Sequence, residues 1–85
     1  MYYVYILETK SKEYVYAGLT SDLERRLREH KNGKVDTTKC RLPVRLIYFE
    51  GYIDKRDAEG REKFLKSGSG KRYLKKQLAH YYSKG

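Results

Sequence analysis

The chain has 85 residues with 20 Lys+Arg against 11 Asp+Glu, a formal charge of +9, and one cysteine. That length gives a single domain, residues 1–85, with a thin core; no run nears the ~20 apolar residues of a membrane span, and Cys40 alone excludes a disulfide framework or a multi-Cys zinc site. The charge, with ten tyrosines, two phenylalanines and no tryptophan, points to a polyanion partner, most economically nucleic acid, and the start Met1-Tyr2-Tyr3-Val4-Tyr5 lacks a secretory layout, so the expected compartment is the cytoplasm.

Tyr2–Glu8 and Tyr14–Leu19 alternate on either side of Thr9-Lys10-Ser11-Lys12, a pattern that predicts a β-hairpin. Val4, Ile6, Val15, Ala17 and Leu19 fall on one face, suited to covering by helices. Tyr3, Tyr5, Tyr14 and Tyr16 fall on the other, and a four-residue loop would set Tyr5 directly opposite Tyr16, with Cβ atoms about 4.5–5.5 Å apart. Thr20-Ser21-Asp22 then opens a helix to about Lys31, with Ser21 and Glu24 spaced as a capping box and Asn32-Gly33 at its end. Leu23, Arg26, Leu27 and His30 share one face, while Glu24, Arg25, Arg28 and Glu29 face solvent. An arginine on the edge of that leucine stripe requires a partner or a ligand.

Gly33–Leu42 reads as a basic loop, and Pro43 precedes a third strand, Val44–Tyr52, rich in β-branched and aromatic residues. Asp54 caps a second helix reaching about Lys66. On it Ala58, Glu62 and Leu65 point inward, and a carboxylate at such a position is costly unless paired or bound to a cation. Mid-helix Gly60 costs about 1 kcal/mol against alanine. Ser67-Gly68-Ser69-Gly70 separates it from a third helix, about Lys71–Tyr82, with Leu74, Leu78 and Tyr81 toward the core. The expected fold is α+β: a three-stranded, mostly antiparallel sheet packed by helices in the order ββαβαα.

Periodicity thus isolates Tyr5 and Tyr16 on a sheet face, Arg26 and His30 on one helix, and Glu62 on another. Phosphodiester hydrolysis uses these residue types. A carboxylate can hold Mg²⁺, an arginine can neutralise charge developing on phosphorus, and a tyrosine or histidine can position or deprotonate water. Taken singly, each reads more readily as structural, Arg26 with Glu62 as a helix–helix ion pair. Ser67-Gly68-Ser69-Gly70-Lys71 follows a helix rather than a strand and lacks the spacing of a nucleotide-binding loop, while its Lys71 and Arg72 suit a plain anion contact. Cys40 and His80 stand alone, with surface or packing use.

Taken in order, these residues resemble the GIY-YIG nuclease superfamily over nearly the whole chain, and its small bacterial members most closely. Tyr3-Val4-Tyr5 is similar to the first motif and Tyr16-Ala17-Gly18 to the second. Arg26 falls where the family carries its catalytic arginine, His30 where many members have a histidine, and Glu62, in Ala58-Glu59-Gly60-Arg61-Glu62, where the metal-binding glutamate stands. The resemblance implies Tyr5, Tyr16, Arg26, His30 and Glu62 as catalytic residues, Glu62 as metal ligand, and Mg²⁺ or Mn²⁺ as cofactor. Tyr3 replaces the first motif's glycine and Ala17 the second's isoleucine. Leu19 stands where several members have a lysine, which shifts the expected base or relay from Tyr16 to His30. Many larger members carry an asparagine near the position of Leu74; the asparagine of this chain is Asn32.

The expected function is metal-dependent hydrolysis of nucleic acid by an endonuclease of the DNA-repair kind, acting on DNA, with structure-selective or RNA substrates as variants. Lys10, Lys12, Lys34, Lys39, Arg41, Lys71, Arg72, Lys75 and Lys76 are the expected backbone contacts, which carry no sequence readout. The rival readings are a non-catalytic nucleic-acid-binding module and a catalytic subunit that takes specificity from a partner protein.

Overall fold

The computed structural model describes residues 1–12 and 14–83. Strands β1 (Tyr2–Glu8), β2 (Val15–Thr20) and β3 (Arg45–Tyr52) form an antiparallel sheet in the order β2-β1-β3. Helix α1 (Leu23–Lys31) lies between β2 and β3 in the chain, and α2 (Lys55–Lys66), α3 (Gly68–Gln77) and the short α4 (Ala79–Ser83) follow β3. Among the described residues, no helix is long and apolar enough to cross a membrane.

The central strand explains the two-sided core. Val4, Tyr5, Ile6 and Leu7 are all fully buried, because β1 has a strand on each side and cover on each face. Val4 and Ile6 join Ala17, Ala58, Leu65 and Leu74 beneath α2 and α3. Tyr5 and Leu7 face the other way, against Leu23 and Leu27 of α1 and Leu42 and Val44 of the loop before β3. The faces are those that the alternation predicts.

The hairpin register is not. Tyr5 stands opposite Gly18, and Tyr16 opposite Leu7. The connection runs through Tyr14, whose carbonyl accepts from both the backbone N–H and the hydroxyl of Thr9, and Lys12 takes a positive φ of 63°. This longer loop moves the pairing by an even step, so every side chain keeps its face.

Local capping sets the helices. Thr20 remains in β2 and its Oγ1 accepts the Asp22 N–H at 3.1 Å, so α1 starts one residue later than a Ser21 cap would place it. Asp22 is the cap, accepting the Arg25 N–H at 3.1 Å. Asp54 caps α2 by accepting the Arg56 N–H at 2.8 Å. Ser67 ends α2 and caps α3, accepting the Gly70 N–H at 3.1 Å. The third helix therefore begins at Gly68, ahead of the expected Lys71, and Gly70 is needed because a Cβ there would overlap the Phe64 carbonyl. It breaks at Leu78, and Tyr81 of α4 reaches back to the end of β1, its hydroxyl donating to Glu8 at 2.6 Å.

A polar network that the sequence reading did not find fastens β3 to α2. Arg61 grips Glu50 with Nε and Nη2 at 2.9 and 3.0 Å, and the Tyr48 and Tyr52 hydroxyls donate to the same carboxylate. The Arg61 guanidinium lies 4.5 Å from the centroid of Tyr73 on α3. Burial works against the Glu50 charge, but Arg61 and the two tyrosines outweigh it and hold the carboxyl below its usual value. Burial and the same carboxylate push Tyr52 up to about 12.

Candidate active site

The site forms around Tyr5. Its ring lies across β2 at Gly18, where an added Cβ would overlap the phenol; the second motif's glycine is the space into which the first motif's tyrosine fits. The Tyr5 hydroxyl meets His30 Nε2 at 2.9 Å, and His30 Nδ1 meets Thr38 Oγ1 at 2.8 Å. Tyr5, His30 and Thr38 are all fully buried. Tyr16 is half-buried, its ring 6.1 Å from that of Tyr5 and 5.0 Å edge-on to the imidazole. The register therefore separates Tyr5 from Tyr16 in pairing yet leaves their rings adjacent on the diagonal.

Burial decides which protons these groups can release. Tyr5 is pushed up to about 12 by burial, against the pull of Arg26. His30 is held below its usual value by burial and by Arg26, with Glu29 pulling weakly the other way. The imidazole is therefore neutral near pH 7, sealed from solvent, and engaged at both nitrogens.

Arg26 sits one turn before His30 on α1. Its Nη1 donates to Glu29 Oε1 at 2.9 Å, and its side chain is one-third exposed, 34%. Glu29 and then Tyr5 raise its pKa still further. Glu29 is thus partly covered rather than wholly turned to solvent. Glu62 is 23% exposed and takes Lys66 as its ion-pair partner at 3.3 Å. Each residue is paired within its own helix, so the helix–helix ion pair between Arg26 and Glu62 does not form.

Helices α1 and α2 cover opposite faces of the sheet, yet residues of both line one cavity at the end of β2. A cavity of about 470 Å³ there is lined by Arg25 and Arg26 of α1, Leu19–Ser21, and Lys55 and Glu59 of α2. A second, of about 220 Å³, is lined by Tyr14, Tyr16, Thr37, Leu65, Lys66 and Lys71. Glu62 lies one helical turn from Glu59 in the first and from Leu65 in the second. Among the described residues, no group of three or more His, Cys, Asp and Glu is placed to share a metal ion. One half-buried carboxylate still suits Mg²⁺, which binds through one or two carboxylates and takes its other oxygens from water and phosphate.

Lys10, Lys12, Lys34, Lys39, Arg41, Lys71, Arg72, Lys75 and Lys76 are all exposed. Lys71 connects the Tyr16 cavity to another lined by Lys12, Lys75 and Tyr82. Lys10 and Arg41 line a third hollow with Cys40, and Arg41 stacks 4.1 Å over Tyr14. Lys39 pairs with Asp36 at 3.3 Å and Arg72 donates to Ser69. Sequence reasoning missed Arg25 and Lys55 on the cavity wall, and Thr38 behind His30. Nothing in the spacing of Thr38 marks it, since its partner lies on another element.

Comparison with known proteins adds three findings. A family model described as the GIY-YIG catalytic domain matches residues 1–77. A UPF0213 protein of Clostridium perfringens is 46% identical over 78% of this chain and 71% of its own length. One from Haloquadratum walsbyi is 44% identical over 92% of this chain and 85% of its own, whereas the match to one from Streptococcus pneumoniae spans 65% of that protein. The solution structure of a UPF0213 protein from Bacillus halodurans superposes with a TM-score of 0.55 at 37% identity, covering 87% of this chain and 82% of that one.

Proposed function

From a chain that belongs to the GIY-YIG family, a family of nucleases, we propose a divalent-metal-dependent endonuclease acting on DNA, with Arg26, Tyr16 and Glu62 at the reacting phosphate. The observation that carries this reading is the cavity at the end of β2 that Arg26 shares with Lys55 and Glu59 of α2, with Tyr16 lining a second cavity against Leu65 and Lys66 of the same helix.

Glu62 would hold Mg²⁺ or Mn²⁺, which supplies charge neutralisation at the phosphate and a more acidic water. Arg26 is a permanent cation already poised in the cavity, and a phosphate oxygen would replace or share Glu29 as its acceptor. Hydrogen bonds from it strengthen as negative charge develops on the transferring group. Tyr16 is the half-exposed phenol of the cluster, so we assign it to orienting the attacking water and, as its phenolate, taking that water's proton to become the neutral phenol. Tyr5 and His30 are sealed from that water, and they serve as the floor that orients Tyr16 and Arg26. His30, held between Tyr5 and Thr38, does not touch that water and acts by fixing the Tyr5 ring beside Tyr16. The exposed lysines and arginines track the phosphate backbone on either side.

Supercoiled plasmid incubated with purified protein tests this reading. Nicking should appear with Mg²⁺ or Mn²⁺ and stop with a chelator. Salt-sensitive DNA binding with no nicking in any divalent metal would assign the scaffold to binding alone.

A further inference from the structure

Val15 and Lys71 line both the Tyr16 cavity, of about 220 Å³, and a neighbouring hollow of about 400 Å³ whose other walls are Lys12, Leu74, Lys75 and Tyr82. Three elements beyond β2 build that hollow. On α3, Lys71, Leu74 and Lys75 stand at i, i+3 and i+4, so one helix face carries a buried leucine between two exposed lysines. The hairpin connection brings Lys12, whose backbone N–H donates to the Thr9 carbonyl at 3.0 Å. Tyr82 comes from α4, its N–H donating to the Leu78 carbonyl at 3.0 Å. The preceding Tyr81 donates its hydroxyl to the buried Glu8 carboxylate at 2.6 Å. No described residue of α4 is itself buried, so the latch to Glu8 helps to fix where Tyr82 stands.

The lining names the occupant. Three ammonium groups face the hollow and, among the described residues, no carboxylate does, so it takes an anion. Leu74, Val15 and Tyr82 add apolar surface that a bare anion would not use. A nucleotide uses both, its phosphates on the lysines and its flat base on the half-buried phenol ring. A hollow of about 400 Å³ lies near the lower end of the ~300–1,000 Å³ of small-molecule sites, room for one nucleotide. Paired bases in a duplex have their faces covered by the neighbours above and below. Stacking on Tyr82 therefore requires a base that is unpaired or turned out of the stack. We infer that the hollow is a subsite for an unpaired nucleotide, with Lys12, Lys71 and Lys75 on its phosphates and Tyr82 stacked on its base. Its place beside the reacting phosphate, through the shared Val15 and Lys71, rests on the nuclease reading; the subsite itself does not. On that reading the substrate is a strand with an unpaired stretch next to the cut.

Binding measured in the presence of a chelator tests the subsite without depending on cleavage. The probes are a dye-labelled thymidine oligonucleotide, an abasic strand of the same length and a blunt duplex, all at one salt concentration. The wild type should bind the oligonucleotide about tenfold more tightly than the abasic strand, which keeps the phosphates and lacks the bases. Tyr82→Leu should lose that difference and Tyr82→Phe should keep it, both with duplex affinity unchanged. Lys75→Ala should weaken both single strands alike. Irradiation of the wild type with a 5-iodouracil oligonucleotide reads the same contact without any variant, and Tyr82 should carry the cross-link. Equal affinity for the abasic strand would make the hollow a plain anion surface and overturn the proposal. So would a folded Tyr82→Leu protein that keeps the wild-type preference for bases, or cross-links confined to other residues. Preference for bases that requires Tyr82, in a protein that nicks no plasmid, would count against the nuclease reading and leave the subsite standing.

Discussion

At His30, the burial that excludes water also sets a pH limit on the fold. The folded protein favours the neutral ring, so His30 contributes nothing unfavourable above its ordinary value of 6.5. As pH falls below that, the unfolded chain takes up the proton first and stability declines toward the lower folded value. The melting temperature should be level above about pH 6.5 and decline toward pH 5, and His30→Gln should flatten that stretch of the profile. A profile with the same slope in both proteins would remove His30 as the cause. The two tyrosines should separate by burial. Tyr5→Phe leaves a buried imidazole nitrogen without its partner and should cost about 1–3 kcal/mol of stability. Tyr16→Phe, half-exposed, should melt near wild type while cleavage falls about 10²-fold or more. Equal melting of both variants with equal loss of cleavage would contradict the division between floor and base. That Tyr5 and Tyr16 share a sheet face, and that Arg26 and His30 share the inner edge of α1, is legible from periodicity. Their accessibility is not, because burial of Tyr5 and His30 depends on how α1 and the loop after it pack on that face of the sheet, a long-range fact that local pattern does not contain.

Among the elements, the β3–α2 junction rests on Glu50. A signal for it was present: Tyr48, Glu50 and Tyr52 alternate on one strand face, and a carboxylate between tyrosines on a covered face needs a cation. What the pattern lacks is the identity of that cation, Arg61, which only the packing of α2 supplies. Glu50→Gln should leave Arg61 half-buried without its counter-charge and destabilise the protein by about 2–4 kcal/mol. The folded carboxyl lies below its ordinary value of 4.5, so its contribution is present above that pH and is lost as pH falls through the lower folded value. The variant should therefore lose part of the wild type's acid sensitivity below about pH 4.5. Chemical denaturation at pH 7 and pH 3 measures both effects; an unchanged midpoint at pH 7 would show the network to be incidental. Strand faces, helix α2 and the α+β class followed from alternation and capping. The hairpin register and the start of α3 did not, since each turns on one local preference, the longer Thr9–Tyr14 connection and the Ser67 cap with Gly70 at close approach, that competes with equally plausible neighbours.

Over the whole molecule the charge is +9; Lys66 and Lys71 line the Tyr16 cavity, and exposed Lys10 and Lys12 lie on the hairpin loop. Affinity for unrelated duplexes should be similar and fall with salt, log K decreasing by about 0.9 per phosphate neutralised. Lys71→Ala and Lys75→Ala should each lessen that slope by about 1, while the same change at Lys63, on the exposed part of α2, should matter less. Affinity that is independent of salt would contradict the nucleic-acid reading. The most direct measurement concerns Glu62, which stands one helical turn from a lining residue of each cavity and pairs only with Lys66 among the described residues. Glu62→Gln should melt at or above the wild-type temperature, since a half-buried charge is removed. It should bind DNA as well as or more tightly than the wild type and should not nick at any Mg²⁺ concentration. A clear fall in melting temperature with Mg²⁺-dependent nicking intact would show Glu62 to be structural and would contradict the metal site on which the account of catalysis depends.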